Sequence, residues 1–257
     1  GSNWVNTLCE NCPEAGVVKT VEKEKSNFVG MELMGKKVGV IGLGAIGVLV
    51  ANALNDLGMK VYGYDPYISV EGAWNINSDI NRTLSLEKIF KSCDFVTIHI
   101  PLMDSTKNTI SRELLMNAKK GIRILNLARG GLVDEDALLE AIDKGIVREY
   151  VTDFPNEKLI GKDKIICIPH LGASTPESEA NCARMVISQM VDYLENGNIK
   201  NSVNFPNCDM GKVSHLGRLC IAHRNIPNMI GQISTILAEG NVNIDNMVNK
   251  NKGDYAY

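Results

Sequence analysis

Apolar and polar positions along this chain follow two periods that take turns. Short runs rich in β-branched residues predict strands at 38–41, 60–64, 95–100, 122–126, 147–152 and 165–168. Between them, apolar residues three or four apart predict helices at about 45–57, 85–91, 111–118 and 134–144. Asp134 is placed to cap the last of these, with Ala137, Leu138 and Ala141 as its buried stripe and Gly145 as its stop. Strand and helix in alternation read as repeated βαβ units, so the expected fold class is α/β: a Rossmann-type doubly wound parallel sheet with right-handed crossovers.

The pattern changes after residue 172. A long helix is predicted over 174–194, with Ser174 and Glu177 matching a capping box, Pro176 in the first turn and Gly197 just beyond the end. Residues 198–213, rich in Asn, Ser, Pro and Gly, read as a linker. Then come a strand at 217–222, a turn at 223–228, a helix at 229–239, a strand opening at Val242-Asn243-Ile244 and a further one beginning near Gly253. That order is the start of a ferredoxin-like α+β module, which needs another helix and strand to close. Residues 1–34, the end of a helix followed by a polar Lys/Glu-rich connector, read as a remnant and crossover from a preceding domain, and Gly1-Ser2 reads as a cloning remnant. The expected division is therefore a remnant at 1–34, a main domain at 35–197, a linker at 198–213 and an incomplete module at 214–257.

The turn after the first strand adds chemistry. Gly42, Gly44 and Gly47 stand between that strand and its helix, and Asp65 ends the second strand eighteen residues after Gly47. In this arrangement the first glycine makes the turn, the second lets a pyrophosphate approach the helix N-terminus, and the third allows helix and strand to pack closely. The acid accepts from the adenosine ribose and repels a 2′-phosphate, so NAD is favoured over NADP.

Ligand sites in open α/β sheets form beyond the carboxyl ends of the strands. Four segments meet that condition: His99-Ile100-Pro101-Leu102, Leu127-Ala128-Arg129-Gly130-Gly131, residues 152–157, and Pro169-His170-Leu171-Gly172. Arg129 suits a bidentate grip on a substrate carboxylate. His170 follows a strand and a proline in a Gly/Ala-rich turn and suits proton exchange with a hydroxyl. A carboxylate is needed to orient its ring, and Asp153 and Glu157 both qualify. His99 reads as a wall of the pocket.

Composition narrows the alternatives. The 257 residues are 44% hydrophobic with a formal net charge of -3, enough for real cores and without a basic tract for nucleic acid or an anionic membrane surface. The apolar runs fall well short of about 18 residues, so no membrane span is expected. Seven cysteines, with Cys9 and Cys12 the sole Cys-x-x-Cys, fit reduced thiols and a cytoplasmic protein with no secretory leader. The histidines are too scattered for a metal set.

Taken together, "GVIGLGAIG", "YGYDP", "DFVTIHIPLMDSTKNTI", "LNLARGGLVDEDAL", "YVTDFPNEKL" and "IPHLGASTPES" resemble, in order, the D-isomer-specific 2-hydroxyacid dehydrogenase family, and most of all its phosphoglycerate branch. The resemblance covers residues 28–206. It implies NAD-dependent oxidation of D-3-phosphoglycerate or a related 2-hydroxy acid in serine biosynthesis, with Arg129, Glu157 and His170 as the catalytic set. It implies cofactor contacts at Gly42, Gly44, Ala45, Ile46, Gly47, Asp65, Pro66, His99, Ile100, Pro101, Thr106, Leu127, Ala128, Arg129, Thr152, Asp153, His170, Gly172 and Ala173. Three positions depart from the family pattern. Ala45 stands where arginine is frequent, Lys158 replaces a proline after Glu157, and Thr152 occupies the place of an aspartate that helps hold the nicotinamide, so that role falls to Thr152 or Asp153. The tail "HRNIPNMIGQI" resembles an ACT regulatory domain, which implies a serine effector, with Asn225 in the loop associated with its contacts. Homodimers or homotetramers are implied for the full-length protein. Because family members begin with a substrate domain, this chain is expected to be a fragment that binds NAD and turns over poorly. The alternatives are a dehydrogenase for another D-2-hydroxy acid and a catalytically silent, NAD-sensing, corepressor-like protein.

Overall fold

The computed structural model describes residues 4–7, 14–213 and 217–257. Gly1-Ser2, Cys9, Cys12 and His215 lie outside the described residues. The chain divides into two compact units, Gly1–His170 and Leu171–Tyr257.

The first unit is a seven-stranded parallel sheet built from β1 (Lys37–Ile41), β2 (Lys60–Tyr64), β3 (Asn81–Arg82), β4 (Phe95–Ile98), β5 (Ile122–Asn126), β6 (Val147–Thr152) and β7 (Ile165–Cys167). Their order is β3-β2-β1-β4-β5-β6-β7, every neighbour parallel. The chain winds outward from β1 in one direction and from β4 in the other, which leaves the switch point between β1 and β4. Period-two alternation sends Val38 and Val40 into one apolar cluster with Val48 and Ala51 of helix Ala45–Asp56. Between them Gly39 faces Ile89 on the other side, where a Cβ would stand 2.2 Å from Ile89 Cγ2. The second and larger cluster joins Ile98, Ile122 and Ile124 to Phe90, Leu115, Leu138 and Ala141 from helices Leu86–Ser92, Arg112–Met116 and Glu135–Asp143. Truncating one of these, such as Ile124→Ala, is expected to cost about 2–5 kcal/mol.

The predicted parallel sheet is present, and Asp134 caps its helix by accepting from Ala137 N at 3.0 Å. Several boundaries move. β4 stops at Ile98, β7 at Cys167, and the helix expected over 111–118 is confined to Arg112–Met116. The polar stretch expected as a connector contains the helix Glu14–Glu24, which Lys- and Glu-rich sequences support through pairs three or four apart, such as Glu22 with Lys25 beyond its end. The short helix Val70–Trp74 and the two-residue β3 have too few residues to show a period.

The second unit opens with helix Pro176–Asn196, which ends at Gly197 with φ 70°. Its cap is Thr175, whose hydroxyl accepts from Ser178 N at 3.2 Å, not the predicted Ser174. Ser174 is already part of a turn, its N–H on Leu171 O at 3.1 Å after Ala173 at φ 61°. The helix Met229–Glu239 forms where predicted. The strands at 217–222 and 242–244 do not. Arg218 instead donates to the carbonyls of Asn196, Met210 and Gly211, tying its segment to the linker. Val242 N closes the preceding helix on Leu237 O at 2.9 Å. The sheet that forms is small and antiparallel, of β8 (His223–Arg224), β10 (Tyr255–Ala256) and β9 (Asn251–Lys252) in that order. With its helix it is consistent with the start of a ferredoxin-like, ACT-type module.

Candidate active site

The nucleotide end of the site is made by backbone. β1 runs into Gly42, whose φ of 91° turns the chain into helix Ala45–Asp56. A Cβ at Gly42 would stand 2.6 Å from His99 O and 2.8 Å from Ile100 Cγ2, so the end of β4 packs directly under this turn. A Cβ at Gly47 would stand 1.9 Å from Gly42 O. At Gly44 a Cβ would meet nothing within 4 Å. Gly44, Ala45 and Ile46 are exposed, and the helix N-terminus they form has no side-chain cap. Its first N–H groups therefore face an open space that suits a pyrophosphate.

Asp65 follows β2, and both carboxylate oxygens are held, Oδ2 by Leu43 N at 2.8 Å and Oδ1 by Tyr67 N at 2.8 Å. Each oxygen keeps a further lone pair for a ribose hydroxyl. Beside it lies an apolar slot lined by Leu43, Ile68, Ala73, Ile76 and Ile80, with Arg82 among its lining residues. Pro66 is exposed next to Asp65. Open glycine cradle, uncapped helix, fixed carboxylate and apolar slot together fit a dinucleotide.

His99 lies half-buried at the end of β4, its Nε2 3.0 Å from Thr97 Oγ1, and burial pulls its imidazole below the ordinary histidine range. It is thus a neutral wall beside the glycine turn. Thr106 is sewn into its own loop, accepting from Met103 N at 2.8 Å and donating to Pro101 O at 2.7 Å. It shapes the segment that starts at Ile100 and Pro101.

The other end of the site is made by side chains at the ends of β5, β6 and β7. After β5, Asn126, only 1% exposed, donates from Nδ2 to Arg129 O at 2.8 Å and accepts from Ala128 N at 3.3 Å, which folds Leu127, Ala128 and Arg129 into a tight turn. The same Nδ2 reaches the Tyr150 hydroxyl at 3.2 Å, and burial pushes that phenol up. Arg129 is exposed, makes one bond to Ala128 O at 2.7 Å, and pairs with no carboxylate among the described residues. Its guanidinium lies 5.8 Å from the centre of the Phe154 ring.

After β6, Thr152 is buried and its hydroxyl accepts from Phe154 N at 3.1 Å. Asp153 is 7% exposed, and its Oδ2 is 2.8 Å from His170 Nδ1. Its Oδ1 is buried with no hydrogen-bond partner. The His170 ring packs on Phe154 with centroids 4.6 Å apart, while half of the histidine side chain remains exposed. Arg129 and His170 thus both lie near the Phe154 ring, and Asp153 is bonded to the histidine. Glu157 is exposed and is not joined to this group. Gly172 and Ala173 belong to the second unit and are exposed.

Sequence reasoning missed Asn126 and Phe154. A strand-ending Asn before an Arg-Gly-Gly turn carries a weak signal for the first. Nothing in the pattern separates Phe154 from an ordinary core aromatic. Among the described residues no three or more His, Cys, Asp or Glu side chains cluster as a metal site, and no helix is long and apolar enough to cross a membrane.

Comparison with known proteins extends the picture. A model of the D-isomer specific 2-hydroxyacid dehydrogenase NAD-binding domain matches residues 11–172. D-3-phosphoglycerate dehydrogenase of Bacillus subtilis (strain 168) is 35% identical over 209 residues, 79% of this chain and 39% of that protein. The Homo sapiens protein of the same name is 38% identical over 204 residues, 77% of this chain and 38% of its own. A solved D-isomer specific 2-hydroxyacid dehydrogenase from Lactobacillus delbrueckii ssp. bulgaricus, in NAD complexed form, superposes with TM-score 0.60 at 27% identity, over 69% of this chain and 58% of that one. The chain spans about two fifths of the length of these curated relatives.

Proposed function

The chain belongs to the D-isomer-specific 2-hydroxyacid dehydrogenase family and carries its NAD-binding domain, and from that premise we propose that it serves an enzyme oxidising D-3-phosphoglycerate to 3-phosphohydroxypyruvate in serine synthesis. NAD, when bound, accepts a hydride from the carbon that bears the hydroxyl. The uncapped helix after Gly44 would hold the pyrophosphate, and Asp65 the adenosine ribose. Arg129, with no acidic partner among the described residues, would grip the substrate carboxylate through its planar fork. His170 would take the hydroxyl proton, since its Nδ1 is committed to Asp153 and its Nε2 makes no other hydrogen bond among the described residues. The single observation that carries this reading is that pair of groups, a carboxylate-held imidazole and a guanidinium without a carboxylate partner among the described residues, both near Phe154 at the strand ends of a sheet whose first turn fits a dinucleotide.

The choice of phosphoglycerate rests on the names of the curated relatives. The segment 214–257, as an incomplete ACT-like domain, would supply a place for a serine effector, and the full-length protein would assemble as a homodimer or homotetramer in the cytoplasm. Calorimetric titration tests the first half of the reading: NAD is expected to bind and NADP to bind at least tenfold more weakly, and no NAD binding would overturn it. Adding D-3-phosphoglycerate, glycerate or lactate to the NADH complex and to the NAD complex then tests the substrate. Preferential binding of lactate or glycerate would move the assignment to another 2-hydroxy acid.

A further inference from the structure

We propose that Asp153, and not Glu157, is the positioning residue that fixes the tautomer of His170. The inference rests on the reading of His170 as the proton acceptor, but its geometry stands by itself.

Two strands bring Asp153 and His170 together. β6 and β7 pair in parallel with Thr152 opposite Cys167, and Ile168 N extends the pairing onto Thr152 O at 3.0 Å. The chain therefore leaves the two strands side by side, with Asp153 one residue past β6 and His170 three past β7. A short carboxylate suffices to span them, and Oδ2 reaches Nδ1 at 2.8 Å. Ring packing on Phe154, at a 51° interplanar angle, restricts the imidazole from the side.

Glu157 makes no bond to His170, and its neighbours bond to another element. Asn156 Nδ2 donates to Glu135 Oε1 at 2.8 Å, and Lys158 Nζ pairs with Asp136 Oδ1 at 2.7 Å. Both acids lie in the first turn of helix Glu135–Asp143, so the residues on either side of Glu157 are tied to that helix end. Leu159, 1% exposed, anchors the turn beyond them. The ion pair of Lys158 exists because this position is a lysine. Glu157 is left exposed between two tethers.

A carboxylate accepts only, so its hydrogen bond requires the proton of a neutral imidazole to sit on Nδ1 and leaves the lone pair on Nε2. Nε2 is then the one atom of the ring able to take a proton from substrate. Asparagine can offer either a donor or an acceptor and removes that constraint.

The tautomer is read directly by nitrogen-15 NMR of the histidine ring nitrogens in the 257-residue chain, with H170N used to assign the His170 signals. Wild type is expected to show a single Nδ1–H tautomer at pH 8, and E157Q the same. D153N is expected to show a mixture in which the Nε2–H form rises to at least a third. NAD affinity, measured alongside, reports separately on the functional reading, and the tautomer result holds whatever the chain binds. The proposal is overturned if E157Q alters the His170 tautomer, or if D153N folds and keeps Nδ1–H alone. Should D153N fail to fold, E157Q and D153E decide it: a changed tautomer in E157Q, or in D153E an Nδ1–H lost although the carboxylate remains, counts against Asp153.

Discussion

The two ends of this site are built from different materials. Around Gly42, Gly44 and Gly47 the proposed recognition elements are main-chain N–H groups, the space left by missing side chains and one pinned carboxylate. Around Arg129, Asp153 and His170 they are side chains drawn from three strand ends, held by one buried acid and one aromatic ring. The difference teaches that Gly42 and Gly47 of the first end cannot take a side chain without moving backbone, whereas the second end can lose its chemistry and keep its fold.

Adding a methyl group separates these cases most strongly. Gly47→Ala places a Cβ 1.9 Å from Gly42 O, where only backbone could yield. A loss of about 3 kcal/mol or more in urea denaturation is expected. Gly44→Ala adds the same methyl to open space, so stability is expected to stay within about 1 kcal/mol while NAD affinity falls at least tenfold by titration. If both variants merely unfold, the cradle is structural and the contrast disappears.

Substitution at the chemical end is expected to act as at Gly44 and not as at Gly47. Arg129→Lys keeps the charge and loses the fork, so substrate or 2-oxo acid affinity should drop about 10- to 100-fold with a denaturation midpoint near that of wild type. A destabilised R129K with intact binding would show that Arg129 belongs to the fold. Asp65→Asn lies between the two regimes. It keeps an acceptor for one backbone N–H but loses the charge, and it is expected to weaken NAD about tenfold and narrow the NAD-to-NADP ratio.

The smallest effect concerns His99. Burial lowers its proton affinity in the folded chain, so as pH falls through the ordinary histidine value of about 6.5 the unfolded state binds more protons and stability is lost. That contribution is fully present above pH 7 and declines below it. His99→Gln should therefore lose less on going from pH 7 to pH 5.5 than wild type, by about 1–2 °C in Tm. An equal loss in both would place the acid sensitivity elsewhere.

The sequence alone determined the parallel α/β sheet and its glycine turn, because both are written locally. Hydrophobic period fixes strand and helix, and glycine spacing fixes a turn within a few residues. Asp65 falls at the end of the next strand, within the same βαβ unit. The positions of Arg129 and His170 just past strands were legible too. Tertiary structure alone decided how they are held. Asp153 and Glu157 looked equivalent in the chain, four residues apart, until the pairing of β6 and β7 set Asp153 beside His170 and left Glu157 exposed. Nor could any local pattern show that Arg129 and His170 both lie near Phe154, or that Arg218 would bind linker carbonyls in place of a strand. The physical reason is the same throughout: backbone preferences act over a few residues and can be read along the chain, whereas side-chain pairing depends on which strands become neighbours, and that is settled only when the sheet closes.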